Sequence, residues 1–364
     1  MISVGIDVHK KRCQACLKDE KGHLIEELSF PRDQEGINGF RVLLQSHGET
    51  KVVLESTGNL WIPIYDSLIE NPANKVILAN PRKTKLIAEA KIKNDKLDAR
   101  VLADLVRADL VAASYVPEEP IRQQRALLRQ RRSLVEATVA IKNRIHNLLD
   151  RYNLGHEYSD LFGKQGREWL HNLQLPSIEK TILDVELKQL ESLEKGIAEL
   201  TMKIALEAVE EPRAKLLMGF TGIDYYSAML LLAEIGDVKR FSSPKKLVAY
   251  AGLAPGIRSS AGKTIHGHIM KEGNKYLRWI LIEAAQHASR FDPKLQDFYQ
   301  RVSARRGRHR AIVGVERKLL VSIYHVLSRN ETYHGQRSEL LERKIRNLQR
   351  IVDSSLQSKR DNQT

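Results

Sequence analysis

The stretch ISVGID (residues 2–7), followed by RCQACLKD (12–19), a Lys21-Gly22 turn and HLIEELSF (23–30), alternates in strand fashion. Three consecutive strands in a meander are therefore expected at the N-terminus. A helical stretch near 35–46 leads into KVVLE (51–55), a short buried strand. Residues 60–70 then read as helix, KVILAN (75–80) as another strand, and a long helical run begins near 94.

The order of three strands, helix, strand, helix, strand fits an α/β layer with an antiparallel meander, the arrangement of a ribonuclease-H-like domain. Alternation along the first strand places Ile2, Val4 and Ile6 on one face and Ser3, Gly5 and Asp7 on the other. Glu55 ends the strand KVVLE, so if the two strands are neighbours both acids meet at one edge of the layer. Asp95 and Asp98, in KNDKLDAR, stand three apart and share one face of a helix. Taken singly, each acid is more often a cap, a salt-bridge partner or a solvated charge; Asp95 could cap its helix or pair with Lys91. Held together, such carboxylates repel unless cations neutralise them, and Mg²⁺, or alternatively Mn²⁺, prefers oxygen ligands of this kind. The chemistry that follows is phosphoryl transfer.

Charge points the same way. The chain has 364 residues, enough for two or three domains, with 59 Lys plus Arg against 45 Asp plus Glu and a formal charge of +14. That balance favours a polyanionic partner over a neutral small molecule. No apolar stretch approaches the ~18 residues that a membrane span needs, so no membrane partner and a cytoplasmic location are expected. Cys13 and Cys16 form a single C-x-x-C that lacks half the ligands of a structural zinc site, and read as reduced residues of a strand.

From Ile121 the pattern turns helical, with Leu127, Leu134, Ile141 and Leu148 one heptad apart; a second seam runs through Leu183, Leu190, Ile197 and Ile204. Residues 121–154 carry eight basic and two acidic side chains, and 179–211 four basic and nine acidic, so pairing is favourable either across a hairpin or between protomers. Further on, Gly219 and Gly222 bracket a tight turn whose amides could face a phosphate, a weak signal. Between Lys239 and Arg278 lie nine basic residues and one acidic, and RVSARRGRHRA (301–311) follows. The segment 239–278 is the strongest candidate for contact with a sugar-phosphate backbone, through Arg258, Lys263, Lys271, Lys275 and Arg278. Beyond Lys344 a polar, frayed tail is expected.

The runs GIDVHK with Asp7, LESTGNLW with Glu55 and KNDKLDA with Asp95 and Asp98 resemble the Asp-Glu-Asp-Asp signature of the RuvC-like domain in bridge-RNA-guided insertion-sequence transposases. GFTGID, LLAEIGDVKRF, AGLAP, SSAGK, IMKEGNKYLRW and ERKLL follow in that family's order, so the resemblance covers roughly residues 1–335. It implies a RuvC-like domain over 1–115, a helical coiled-coil region over 116–210, a mainly α transposase domain over 211–335 and a polar tail over 336–364. It also implies a nucleophilic serine five residues after the Pro of a GLxP-like motif, a count that reaches Ser260 from Pro255. Family members commonly have Gly directly after this serine, whereas here Ala261 intervenes before Gly262 and Ser259 precedes it, so Ser259 stays a competitor. Small neighbours and nearby cations suit a nucleophile that DNA must reach, although the only histidines close in sequence are His266 and His268.

The resemblance further implies donor and target DNA as substrates, an element-encoded guide RNA that supplies sequence choice by pairing, dimers that assemble into tetramers, and association with a bacterial nucleoid. Three rivals stand beside it: a junction-resolving nuclease that uses only the carboxylates, an actin-like or sugar-kinase ATPase, and a non-catalytic coiled-coil binder of nucleic acid. The ATPase would need further Gly-rich phosphate loops, and it leaves Asp95 and Asp98 without a role.

Overall fold

The computed structural model describes residues 1–56, 58–87, 94–260 and 263–361, and the side chains of all of these except 56, 257–260, 263–266, 268 and 355–361. The chain divides into two compact units, Met1–Pro117 and Glu118–Thr364.

In the first unit the N-terminal alternation produces β1 (Ile2–Val8), β2 (Arg12–Lys18) and β3 (Leu24–Pro31), an antiparallel meander. Helix α1 (Gln34–Gln45), capped by the Asp33 side chain accepting from Gly36 N, leads to β4 (Thr50–Ser56), which pairs in parallel with β1. Helix α2 (Ile62–Ile69) returns the chain to β5 (Asn74–Leu78), parallel to β4, so the sheet order is β3-β2-β1-β4-β5. Helix α3 (Pro81–Ile87) follows, and α4 (Asp95–Arg107) starts at Asn94, whose side chain accepts from Lys96 N. Asn94, not Asp95, is therefore the cap; Lys91 lies outside the described residues.

The even-numbered residues of β1, with Val52 and Leu54, pack on Phe40 and Leu44 of α1 and Ile64 and Leu68 of α2. On the other face Val53 and Ala79 pack with Leu102 and Val106 of α4, and Cys16 with Ala99 and Ala103. Cys13 belongs to the first of these layers and Cys16 to the second. On a strand, residues three apart point to opposite faces, so the two thiols cannot share a ligand. Both are free and buried, and burial pushes the Cys13 thiol up to about 12.

The second unit begins with α5 (Glu119–Arg151), α6 (Lys164–Asn172) and α7 (Ser177–Glu210). Of the two pairings that the charge asymmetry allowed, α5 and α7 adopt the one within a single chain, where Arg144 donates through Nε and Nη2 to Glu186 at 2.6 and 2.8 Å. The expected seams are only partly buried. Ile141, Leu148, Leu183, Leu190 and Ile204 are buried, whereas Leu127, at the edge of the main core, and Leu134 and Ile197 are half-buried.

Next come α8 (Pro212–Met218), α9 (Tyr225–Ile235), α10 (Pro244–Tyr250), the antiparallel hairpin β6 (Pro255–Ser260) and β7 (Lys263–Ile269), then α11 (Lys275–Phe291), α12 (Pro293–Arg306), α13 (Arg308–Arg329) and α14 (Ser338–Asp361). Helix α9 is apolar all round and sits at the centre of the core. The frayed tail expected beyond Lys344 is instead a helix. Leu348 and Val352 are buried in the main core, and Lys344 Nζ donates to the carbonyls of Met218, Phe220 and Ile223 at 2.8, 2.7 and 2.7 Å. This also corrects the reading of the Gly219–Gly222 turn. It presents carbonyls to a lysine rather than amides to a phosphate, and Gly222, at φ +85°, is pressed against Ala284 and His287 of α11.

Candidate active site

Asp7 and Glu55 are direct register partners on β1 and β4, so the two carboxylates leave the same face of the sheet at the same height. That face is covered by α4. Gly5 lies two residues before Asp7, and a Cβ there would collide with Ala99 O and Ala103 N and stand 2.8 Å from Leu102 Cβ. Only a glycine lets α4 lie this close to β1, and that approach brings the first-turn acids Asp95 and Asp98 over Asp7 and Glu55.

The charges of the helix acids reach the two strand acids. Burial first, then the charges of Asp98 and Asp95, pushes Asp7 above its ordinary carboxyl value, against an opposing pull from His9. Burial, Asp7 and Asp98 push Glu55 up in the same sense. The Asp7 side chain is 15% exposed and that of Asp95 65%, so the cluster grades from the sheet out to solvent. His9 is a member that the sequence reading passed over. Its Nε2 stands 2.9 Å from Asp7 Oδ2 and 3.4 Å from Asp95 Oδ1, and Asp7, His9 and Asp95 each offer one ligand atom within 4.8 Å of the others. The signal was present in GIDVHK, where His9 stands two residues after Asp7 and falls on the same side by alternation. Crowded oxygen donors with raised proton affinity and an adjacent imidazole fit a divalent cation.

In the second unit Ser259 and Ser260 lie at the end of β6, opposite Thr264 and Lys263 of β7. The serine segment is thus one arm of a two-stranded hairpin. Ala261 and Gly262, and the side chains of Arg258, Ser259, Ser260, Lys263, His266 and His268, lie outside the described residues. Lys271 and Lys275 are exposed. Arg278 is half-buried, and its Nη1 donates to Ala251 O at 3.0 Å, bracing the backbone at the foot of the hairpin.

A second brace lies alongside. Glu234, wholly buried at the end of α9, accepts from Arg129 Nε and Nη2 at 2.7 and 2.8 Å and from Asn274 Nδ2 at 2.6 Å. Asn274 also caps α11 through Tyr276 N and Leu277 N, so one carboxylate ties α5, α9 and the segment just after β7 together.

Both sets of residues fall within regions shared with known proteins. Residues 4–154, which hold the four acids, match a family described as "Transposase", and residues 214–300, which hold the hairpin, match one described as "Transposase IS116/IS110/IS902 family". The chain belongs to the IS116/IS110/IS902 transposase family. It is 26% identical over 348 residues to the transposase for insertion sequence element IS1111A of Coxiella burnetii, covering 91% of this chain and 90% of the relative. It is 27% identical over 346 residues to the pilin gene-inverting protein of Moraxella bovis, covering 91% and 97%. A putative transposase y4qE of Sinorhizobium fredii is 30% identical over 230 residues, covering 63% and 56%. A member of this transposase family is a DNA transposase or recombinase, and its substrate is therefore DNA. Among the described residues, no helix is long and apolar enough to cross a membrane.

Proposed function

We propose that this transposase cleaves and exchanges DNA strands with two sets of residues, the Asp7, Glu55, Asp95 and Asp98 cluster as a Mg²⁺ or Mn²⁺ site, and Ser260 as the nucleophile. The observation that carries the reading is the Asp7–Glu55 register, with the first-turn acids of α4 above it. The strand order, with helices on both faces of a mixed sheet, supports a RuvC-like assignment of the first unit. When bound, the cation supplies Lewis-acid stabilisation of the attacking and leaving oxygens of a phosphoryl transfer. The carboxylates hold their charges at fixed positions on rigid elements, and His9 orients Asp7 through its hydrogen bond. In the covalent step the Ser260 Oγ–P bond forms as one P–O bond to the sugar breaks. The serine proton passes to a general base, and the departing sugar oxygen takes up a proton.

An element-encoded guide RNA that supplies sequence choice by pairing with donor and target, and assembly of dimers into tetramers, complete the reading; the excess of basic residues in 121–154 and 239–278 supports a polyanion there. Denaturing gels of the protein with labelled DNA test it. Wild type and Ser259→Ala are expected to form a covalent adduct, whereas Ser260→Ala still binds DNA and forms none. Adduct retained in Ser260→Ala and lost in Ser259→Ala moves the nucleophile by one residue. No adduct from active wild type leaves a carboxylate-only nuclease.

A further inference from the structure

In the second unit, α12 and α13 meet along a seam that is open to solvent at the foot of the serine hairpin. A cavity of about 1120 Å³ there is bounded by Pro255, Gly267 and Ile269 of the hairpin and by both helices. Its rim carries Arg301, Arg305 and Arg306 on one side, Arg310 and Arg317 on the other, and Lys271 beneath the hairpin. A second cavity of about 570 Å³ shares Phe298, Gly314 and Arg317 with it and adds Lys294 and Lys318, so the two adjoin along the trough between the helices. Among the described residues, no aspartate or glutamate lines either cavity.

This arrangement differs from an ordinary solvated basic face. Several arginines elsewhere in the unit are matched to carboxylates, as Arg129 is to Glu234, Arg144 to Glu186 and Arg167 to Glu194. None of the five arginines on the rim has an ion pair among the described residues. Like charges gathered round one cavity without counter-ions oppose folding, and a polyanion in the trough relieves that cost. The floor is apolar, with Phe298, Val302 and Val313 half-buried along it. Cations on both rims of an apolar floor with an aromatic ring are what a single nucleic-acid strand requires, its phosphates on the rims and its bases on the floor. A duplex keeps its bases paired inside and would rest on the rims with the floor bare, whereas a single strand can turn its bases onto the floor.

We propose that the α12–α13 trough is the channel for a single DNA strand leading to or from the serine at the tip of the hairpin, an assignment that rests on the reading of Ser260 as the nucleophile. Pro255 and Ser260 are five residues apart. That is ~17 Å of strand, so only a few nucleotides of extended single strand separate the attacked phosphate from the mouth of the trough.

Fluorescence anisotropy with the full chain tests the proposal, using a labelled single-stranded oligodeoxynucleotide, the same sequence as duplex, and the same sequence as single-stranded RNA, across a salt series. Arg305→Ala/Arg310→Ala is expected to weaken single-stranded DNA binding about tenfold or more and to lower the log–log salt slope by about 1.4, two phosphates at ~0.7 each. Arg346→Ala/Arg350→Ala removes the same charge from exposed positions of α14 and is expected to leave that slope unchanged. An unchanged melting temperature shows that the trough variant is folded. An unaltered slope for single-stranded DNA overturns the proposal, as does a loss that is equal or greater for duplex or for RNA. Binding is read without chemistry, so failure of the serine reading, seen as adduct formation by Ser260→Ala, is a separate result.

Discussion

Asp7 and Glu55 face each other across the parallel β1–β4 pair, and each carboxyl is pushed above its ordinary value by burial and by the other acids of the cluster. A carboxyl whose folded value is raised holds a proton that the unfolded chain has given up, so the native state loses stability as pH rises through that interval. For the cation-free protein, the contribution of this pair is therefore present at acid pH and lost towards neutrality. Glu55→Gln is expected to flatten that decline and to raise the melting temperature near neutral pH. If the cluster holds Mg²⁺ as proposed, Mg²⁺ is expected to raise the melting temperature of wild type more at neutral than at acid pH and to do much less for Glu55→Gln. A variant that responds to Mg²⁺ as wild type does would remove Glu55 from the site. Strand cleavage is expected to fall at least a hundredfold in Asp98→Asn with its fold retained.

Gly5 makes a sharper structural test, since it is not itself a ligand. Gly5→Ala places a methyl group against Ala99 O and Ala103 N, and α4 must lift from β1. We expect a loss of ~1–3 kcal/mol in urea unfolding. A weaker thermal response to Mg²⁺ should accompany it, because Asp95 and Asp98 move with the helix. Full stability together with a normal response would show that the close approach of α4 is dispensable.

Glu316 of α13 is wholly buried, both its carboxyl oxygens lack a hydrogen-bond partner, and burial pushes its pKa from 4.5 up to about 8, against a smaller pull from Arg278. The native protein thus keeps a proton that the unfolded chain loses between pH 4.5 and about 8, and stability falls with pH across that window. Glu316→Gln keeps the shape and removes the titration. The variant is expected to match wild type below the window and to exceed it by up to about 5 kcal/mol above it. Equal stability of the two proteins at mildly alkaline pH would show that Glu316 is solvated or paired in solution.

Lys344 supplies three hydrogen bonds to carbonyls around the end of α8. Lys344→Met fills the same space without a donor and leaves those carbonyls unsatisfied, at a cost of about 3 kcal/mol or more. Chemical denaturation would register this as a lower midpoint with an unchanged slope. No change in midpoint would mean that water replaces the ammonium at no cost.

The elements of the first unit were legible because strands with one buried face advertise it by alternation, and Asp7 could be placed at the edge of its strand from sequence alone. The meeting of Asp7 with Glu55 could not, since adjacency of β1 and β4 is a non-local pairing that periodicity does not encode. His9 was missed because it lies just beyond the strand, where the pattern was no longer being followed. The Gly219–Gly222 turn was misread for want of a partner 120 residues away in sequence, as the Lys344 bonds to Phe220 and Ile223 span 124 and 121 residues. Leu341, Ile345, Leu348 and Val352 carry a helical seam through the polar tail, but its high overall charge masked the spacing. The register of the serines lay beyond both readings, since the hairpin fixes their backbone and the family pattern alone selects between them.

The dependence of the second unit on α14 bears on how the protein is made. Residues 1–117 are contiguous and can fold as they leave the ribosome, whereas the core around α9 needs Leu348 and Val352, which are translated after every other element of that unit. A nascent chain that stalls or terminates ahead of α14 would carry a finished carboxylate cluster and an unfinished serine hairpin support. Partial translation products would then carry a folded first unit beside a second unit whose core is incomplete.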